Sequence, residues 1–134
     1  MFIFPEITNV RLAGSTNGET NLGRVEVFVT GPNEWGTVCD DYWDDRDATV
    51  VCRSLGYETG VMKKHGVFGR GSGPIWPDNV DCTGDEAGIQ ECRHNGINIQ
   101  NCNHGEDAGV ICSGQTHHPG QRFVNLVINE IFAI

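Results

Sequence analysis

Clustered positive charge is missing from this 134-residue chain: nine Lys and Arg stand against 18 Asp and Glu, for a net charge of −9. Nucleic-acid binding needs a dense Lys/Arg surface to neutralise phosphates, so that class is excluded. No run approaches the roughly 18 apolar residues of a membrane-spanning helix, and the apolar end "FVNLVINEIFAI" is too short. Closely spaced cysteine pairs are also lacking, which argues against a structural zinc site. No G-x-S-x-G elbow or H-E-x-x-H helix occurs, and Ser72 sits in the loop-like "RGSGP". Paired acids could serve a glycosidase, but a domain this small offers little room for a deep cleft, so the chain is read as no enzyme. The opening "MFIFPEI" has no basic region and no small-residue cleavage site. A secreted reading therefore requires a leader already removed or a longer parent chain.

What is present points outside the cell. Six cysteines, Cys39, Cys52, Cys82, Cys92, Cys102 and Cys112, suggest a disulfide framework of an extracellular domain. Eighteen glycines are about twice the number expected at a usage of roughly 7%, which predicts many turns around a modest core. The length suits one domain. "GRVEVFVT" (23–30) alternates Val25, Val27 and Val29 with Glu26, Phe28 and Thr30, the period of a half-buried strand. "GPNE" supplies a turn and "WGTVC" (35–39) the returning strand of a hairpin. The period then changes. Ala48, Val51, Cys52 and Leu55 form one stripe of an amphipathic helix, with Gly56 where a left-handed C-terminal cap belongs. Residues 56–81 read as long loops with one or two short strands, and "GVIC" (109–112) as a closing strand.

The stretch "CDDYWDDRD" (39–47) crowds five aspartates behind a cysteine. Asp44 or Asp45 is placed to cap the helix, and Asp47 falls in its first turn, where the dipole favours an anion. Asp40 and Asp41 have no such explanation. They are solvated loop charges, partners of Arg46 or Arg93, or ligands of a cation.

The string "VRLAGSTNGETNLGRVEVF…EWGTVCDDYWDDRDATVVCRSLGY…GSGPIWPDNVDCTGDEAGIQECRHNG…NCNHGEDAGVIC" resembles the scavenger receptor cysteine-rich (SRCR) domain. The resemblance implies an α+β fold in which a curved antiparallel sheet cradles one main helix. It covers about residues 9–112; because "SGQTHHPGQR" (113–122) reads as a linker, the domain proper is taken as residues 8–112, between an extension (1–7) and a linker with an apolar tail (113–134). The six cysteines look like the family's group A, with Tyr57 where group B usually has another cysteine. The implied disulfides are Cys39–Cys102, Cys52–Cys112 and Cys82–Cys92. The resemblance also implies an extracellular binding module, secreted or part of an ectodomain. Its partners would be anionic or microbial surface ligands, as in innate-immune pattern recognition, or other proteins.

Cation-binding members of the family suggest the ligands. One site maps onto Asp40, Asp41 and Glu106, and a second onto Asp78, Asp81 and Asn101, so one or two Ca²⁺ ions are expected, with Mg²⁺ also admissible. Ca²⁺ takes six to eight hard oxygen ligands, so three side chains leave positions for water or an anionic ligand. Two such ions would still leave the domain acidic, so attraction of an anion must be local. Arg24, Arg46 and Arg70, with Lys63 and Lys64, are the candidate basic residues. The alternative is an adhesion or accessory domain of a larger receptor or secreted enzyme, with no metal dependence. His94, His104, His117 and His118 are expected to be exposed loop residues, without the spaced ligand set of a zinc or copper site. The tail is expected to pack on its own domain or on a second copy.

Overall fold

The computed structural model describes residues 5–97 and 101–115. The alternating valines build the centre of the sheet. Strand β2 (Leu22–Val29) buries Val25, Val27 and Val29 completely. Each such side chain contributes roughly 1.5–3 kcal/mol of burial energy. One edge of β2 pairs antiparallel with β1 (Ile7–Ala13). Its other edge is shared: β3 (Glu34–Thr37) takes the second half and β5 (Gly109–Gln115) the first. β4 (Tyr57–Lys63) pairs with β5 and completes a five-stranded antiparallel sheet.

The expected helix is α1 (Asp45–Ser54), flanked by Asp44 as N-cap and Leu55 as C-cap. Asp44 Oδ1 accepts from the amides of Arg46 and Asp47, while Asp47 Oδ2 accepts from the Asp44 amide, a reciprocal capping box. Gly56 follows at φ 97° and donates its amide to Arg53, as a left-handed helix end requires. The stripe points inward: Ala48, Val51 and Cys52 are fully buried against β4 and β5.

Three disulfides tie the elements together: Cys39–Cys102, Cys52–Cys112 and Cys82–Cys92. Cys52–Cys112 pins α1 to β5, and Cys39–Cys102 joins the segment after β3 to the segment before β5. Two boundaries differ from the expectation. β1 begins at Ile7, and β5 continues into the expected linker because Ser113 and Gln115 pair with Thr59 and Tyr57. β1 was not legible as a strand, because a register shift between Ile7 and Asn9 breaks its alternation. The second face of β2 is less exposed than its pattern suggests: Glu26 is buried, held by Arg11 at 2.8 Å and Arg24 at 2.9 Å. The tail, including His117 and His118, lies outside the described residues.

Candidate functional site: an acidic cluster at the Cys39–Cys102 bridge

The first wall of the site is a tight turn. The Trp43 amide donates to the Asp40 carbonyl at 2.9 Å, and Tyr42 takes a left-handed φ of 63° at the turn's third position. Glycine ordinarily serves there. Trp43 anchors the turn, buried with its indole N–H on the Gly109 carbonyl at 2.9 Å. The second wall is a 3₁₀ turn, His104–Glu106, capped by Asn103, whose amide donates to Glu106 Oε1 at 3.0 Å. The two walls meet because the Asp40 amide donates to the Glu106 carbonyl at 2.8 Å beside the Cys39–Cys102 bridge.

On this frame Asp41 and Glu106 come together. Carboxylate oxygens of both lie within 4.8 Å of each other and of the bridge sulfurs. Those sulfurs are bonded to each other, which leaves oxygen donors only and suits a hard cation rather than zinc. Asp78 joins from a third segment: the Cys102 sulfur lies 3.7 Å from Asp78 Oδ1, 3.8 Å from Asp41 Oδ2 and 3.9 Å from Asn101 Oδ1. Burial first, then the negative charge of Asp41 and Glu106, pushes the Asp78 carboxyl above its ordinary value. Residues expected in two separate sites, Asp41 with Glu106 and Asp78 with Asn101, thus gather around one sulfur.

Two expected ligands face elsewhere. Asp40 is buried, and its Oδ2 accepts the His65 amide at 2.7 Å; it is outside the 4.8 Å grouping. A buried carboxylate satisfied by a backbone donor is a structural anchor. Asp81 is exposed and lines a different cleft with Arg46 and Arg93. Its backbone pairs with Arg93, the Asp81 amide donating to the Arg93 carbonyl at 2.8 Å.

The three arginines occupy three settings. Arg24 is taken up within the fold, bonded to Glu26 and directed at the carbonyls of Phe68 and Gly69. Arg46 is bonded to Asp44 at 2.9 Å on the first turn of α1. Arg70 is exposed and lies over the second wall, where a Cβ built on Gly105 would come 3.0 Å from its guanidinium. Lys63 ends β4, paired with Gly109, and Lys64 follows it. The histidines also depart from expectation, since His94 and His104 are half-buried. His104 directs Nδ1 to Asp107 at 3.0 Å and Nε2 to the Gly73 carbonyl at 3.0 Å. Asp107 was missed by the sequence reading. Its carboxylate also accepts the Gly71 amide at 2.7 Å and so fixes the turn that presents Glu106. The only signal for it was an acid directly after Glu106.

A second grouping, Cys82, Cys92 and Glu86, is structural. Its sulfurs are bridged, and the Glu86 carboxylate accepts from Thr83 and Gly84, which holds its pKa down to about 2.

Comparison with known proteins agrees with this architecture. Residues 15–113 match the scavenger receptor cysteine-rich domain family. The chain is 55% identical over 95 residues to macrophage receptor MARCO of Mesocricetus auratus, covering 71% of this chain and 19% of that protein. It is 50% identical over 109 residues to galectin-3-binding protein of Pongo abelii, covering 81% of this chain and 18% of the other. Against human lysyl oxidase homolog 2 the identity is 46% over 123 residues, covering 91% and 15%. The chain thus spans less than a fifth of the length of these relatives. Among solved structures, the third SRCR domain of murine neurotrypsin superposes with a TM-score of 0.71 at 46% identity, covering 81% of this chain and 98% of that one. The dimeric form of the SRCR domain of mouse MARCO gives 0.65 at 52%, covering 74% and 93%. The chain therefore belongs to the scavenger receptor cysteine-rich family, as a disulfide-bonded module of extracellular type.

Proposed function

We propose that this module binds anionic surface ligands with the help of a Ca²⁺ ion held by Asp41 and Glu106, with Asp78 beside them. The observation that carries the reading is the convergence of these three carboxylates on the Cys102 sulfur. Burial, and after it the charges of Asp41 and Glu106, makes the Asp78 carboxyl hold its proton more tightly than usual, and a divalent cation would relieve the crowding of negative charge. Bound Ca²⁺ would have these acids and the exposed Asn101 as hard donors, fewer than the six to eight it accepts. An anionic group on a ligand would complete the sphere. Arg70, over the neighbouring turn, supplies positive charge locally on a domain whose net charge is −9. The work of the site is recognition, and the innate-immune setting of a scavenger-type receptor is part of this proposal.

Calorimetric Ca²⁺ titration of the metal-stripped protein tests the reading, followed by binding to polyanion-coated beads with and without chelator. Asp41→Ala should weaken Ca²⁺ affinity at least tenfold with little loss of stability, whereas Asp81→Ala should leave it unchanged. If Asp41→Ala binds Ca²⁺ as the parent does, the cation assignment fails. Bead binding that persists in chelator would replace it with metal-independent adhesion.

A further inference from the structure

Residues of the same two acidic loops also line a polar cleft of about 340 Å³, within the size range of small-molecule sites. Tyr42 and Asn79 turn the chain into it. Each directly follows an acid of the cluster, Asp41 or Asp78, and each adopts a left-handed backbone, with φ of 63° and 55°. The loops thus send acids toward Cys102 and set these next residues along the cleft.

We propose that this cleft is a second binding site, for an uncharged saccharide ring, independent of the cation. Tyr42 is 72% exposed, the one aromatic among the large exposed apolar side chains of the described residues. It packs little of its surface into the fold, and it occupies a backbone region unfavourable to a bulky residue. A ring face offered to solvent suits the apolar C–H face of a sugar. Around it stand Asn79 and Asn95, planar amides that both donate and accept, as hydroxyl groups do. The charges cancel: Arg46 and Arg93 face Asp44 and Asp81, and Arg46 is already bonded to Asp44 at 2.9 Å. His94 adds none at neutral pH, because burial holds its ring below the ordinary value. Its Nδ1 accepts the Gly96 amide at 2.8 Å, so the remaining proton sits on Nε2 as a donor. A polyanion or a cation would find no net charge here, whereas a neutral polyol finds donors and acceptors beside an aromatic face.

The test is NMR titration of the isotope-labelled protein, in chelator, with uncharged methyl glucoside, galactoside and mannoside and their disaccharides. At least one should shift the Asn79 and Asn95 side-chain amides with a dissociation constant at roughly the millimolar level, about −4 kcal/mol. Tyr42→Gly should abolish those shifts while holding or raising the thermal midpoint, since glycine accepts the left-handed backbone. The proposal is overturned if no uncharged sugar shifts these amides, if only sulfated sugars do, or if Tyr42→Gly binds as the parent does. A midpoint lowered by several degrees would make the ring structural and overturn it as well. Because chelator is present throughout, failure here leaves the Ca²⁺ titration at Asp41 a separate question.

Discussion

Five aspartates in eight positions receive five different surroundings, and this is where single residues become testable. Asp44 caps α1, whereas Asp45, the other candidate, gives Oδ1 to the Met62 amide at 2.9 Å and so ties the helix to β4. Asp44→Ala should cost about 1 kcal/mol through lost capping, measured by chemical denaturation. Asp45→Ala should cost less, because it loses one exposed hydrogen bond. Asp47 is fully buried and accepts the amides of Cys82 and Asp44, each at 2.7 Å. Burial outweighs those donors and pushes its carboxyl up to about 7, from an ordinary 3.8. The folded protein therefore keeps a proton that the unfolded chain releases. That contribution is fully present below 3.8 and is lost as pH rises through about 7. His94, with its pKa lowered, acts in the opposite sense below its ordinary 6.5. Comparison with Asp47→Asn isolates the aspartate: the variant should be less stable overall, yet lose less stability between pH 5 and pH 8 than the parent. Equal losses in urea midpoint would contradict the assignment.

At the scale of elements, the close approach of α1 to β4 depends on one small residue. A Cβ on Gly60 would meet the Cys52 sulfur and come 2.7 Å from the Ala48 carbonyl. Neither can withdraw, since Cys52 is bridged to Cys112 and the carbonyl belongs to the helix. Gly60→Ala should therefore destabilise by roughly 1–3 kcal/mol, the usual cost of overpacking, as read from thermal midpoints. An unchanged midpoint would mean that helix and strand separate more easily than their packing indicates. The same element scale explains why the short strand expected within residues 56–81 could not be placed from sequence. "YETGVMK" lies in a region read only as loops with short strands, and its pairing with β5 is fixed by a partner some fifty positions away.

For the whole molecule, the Cys39–Cys102 bridge spans 63 positions and does two things. In the chain-entropy picture closing such a loop contributes about 4 kcal/mol. It also holds Asp41 beside Glu106, residues that chain connectivity alone would leave far apart. Replacing both cysteines by serine should lower stability by roughly 2–5 kcal/mol. Under conditions where the variant remains folded, its Ca²⁺ affinity should fall as well. Parental Ca²⁺ affinity in that folded variant would show that the bridge does not organise the cluster.

The sequence by itself determined what depends on neighbours a few positions apart. The period-two valines of β2 and the stripe and terminal glycine of α1 state their own geometry, because side-chain direction follows directly from local backbone repeat. The cysteine spacing and the ordered motifs carried the family resemblance, and with it the disulfide pairing. Tertiary structure decided how the acids are shared. Asp40 and Asp41 are adjacent in sequence, yet one answers the His65 amide while the other faces the bridge sulfur. Asp78 and Asp81 part in the same way, one to the cluster and one to the cleft. Arg24, equivalent to Arg70 by charge alone, is consumed by Glu26 across its own strand face. A carboxylate's role depends on which donors and charges the fold brings within a few ångströms, and in this loop-rich chain those neighbours arrive through turns and disulfides rather than through any repeating pattern.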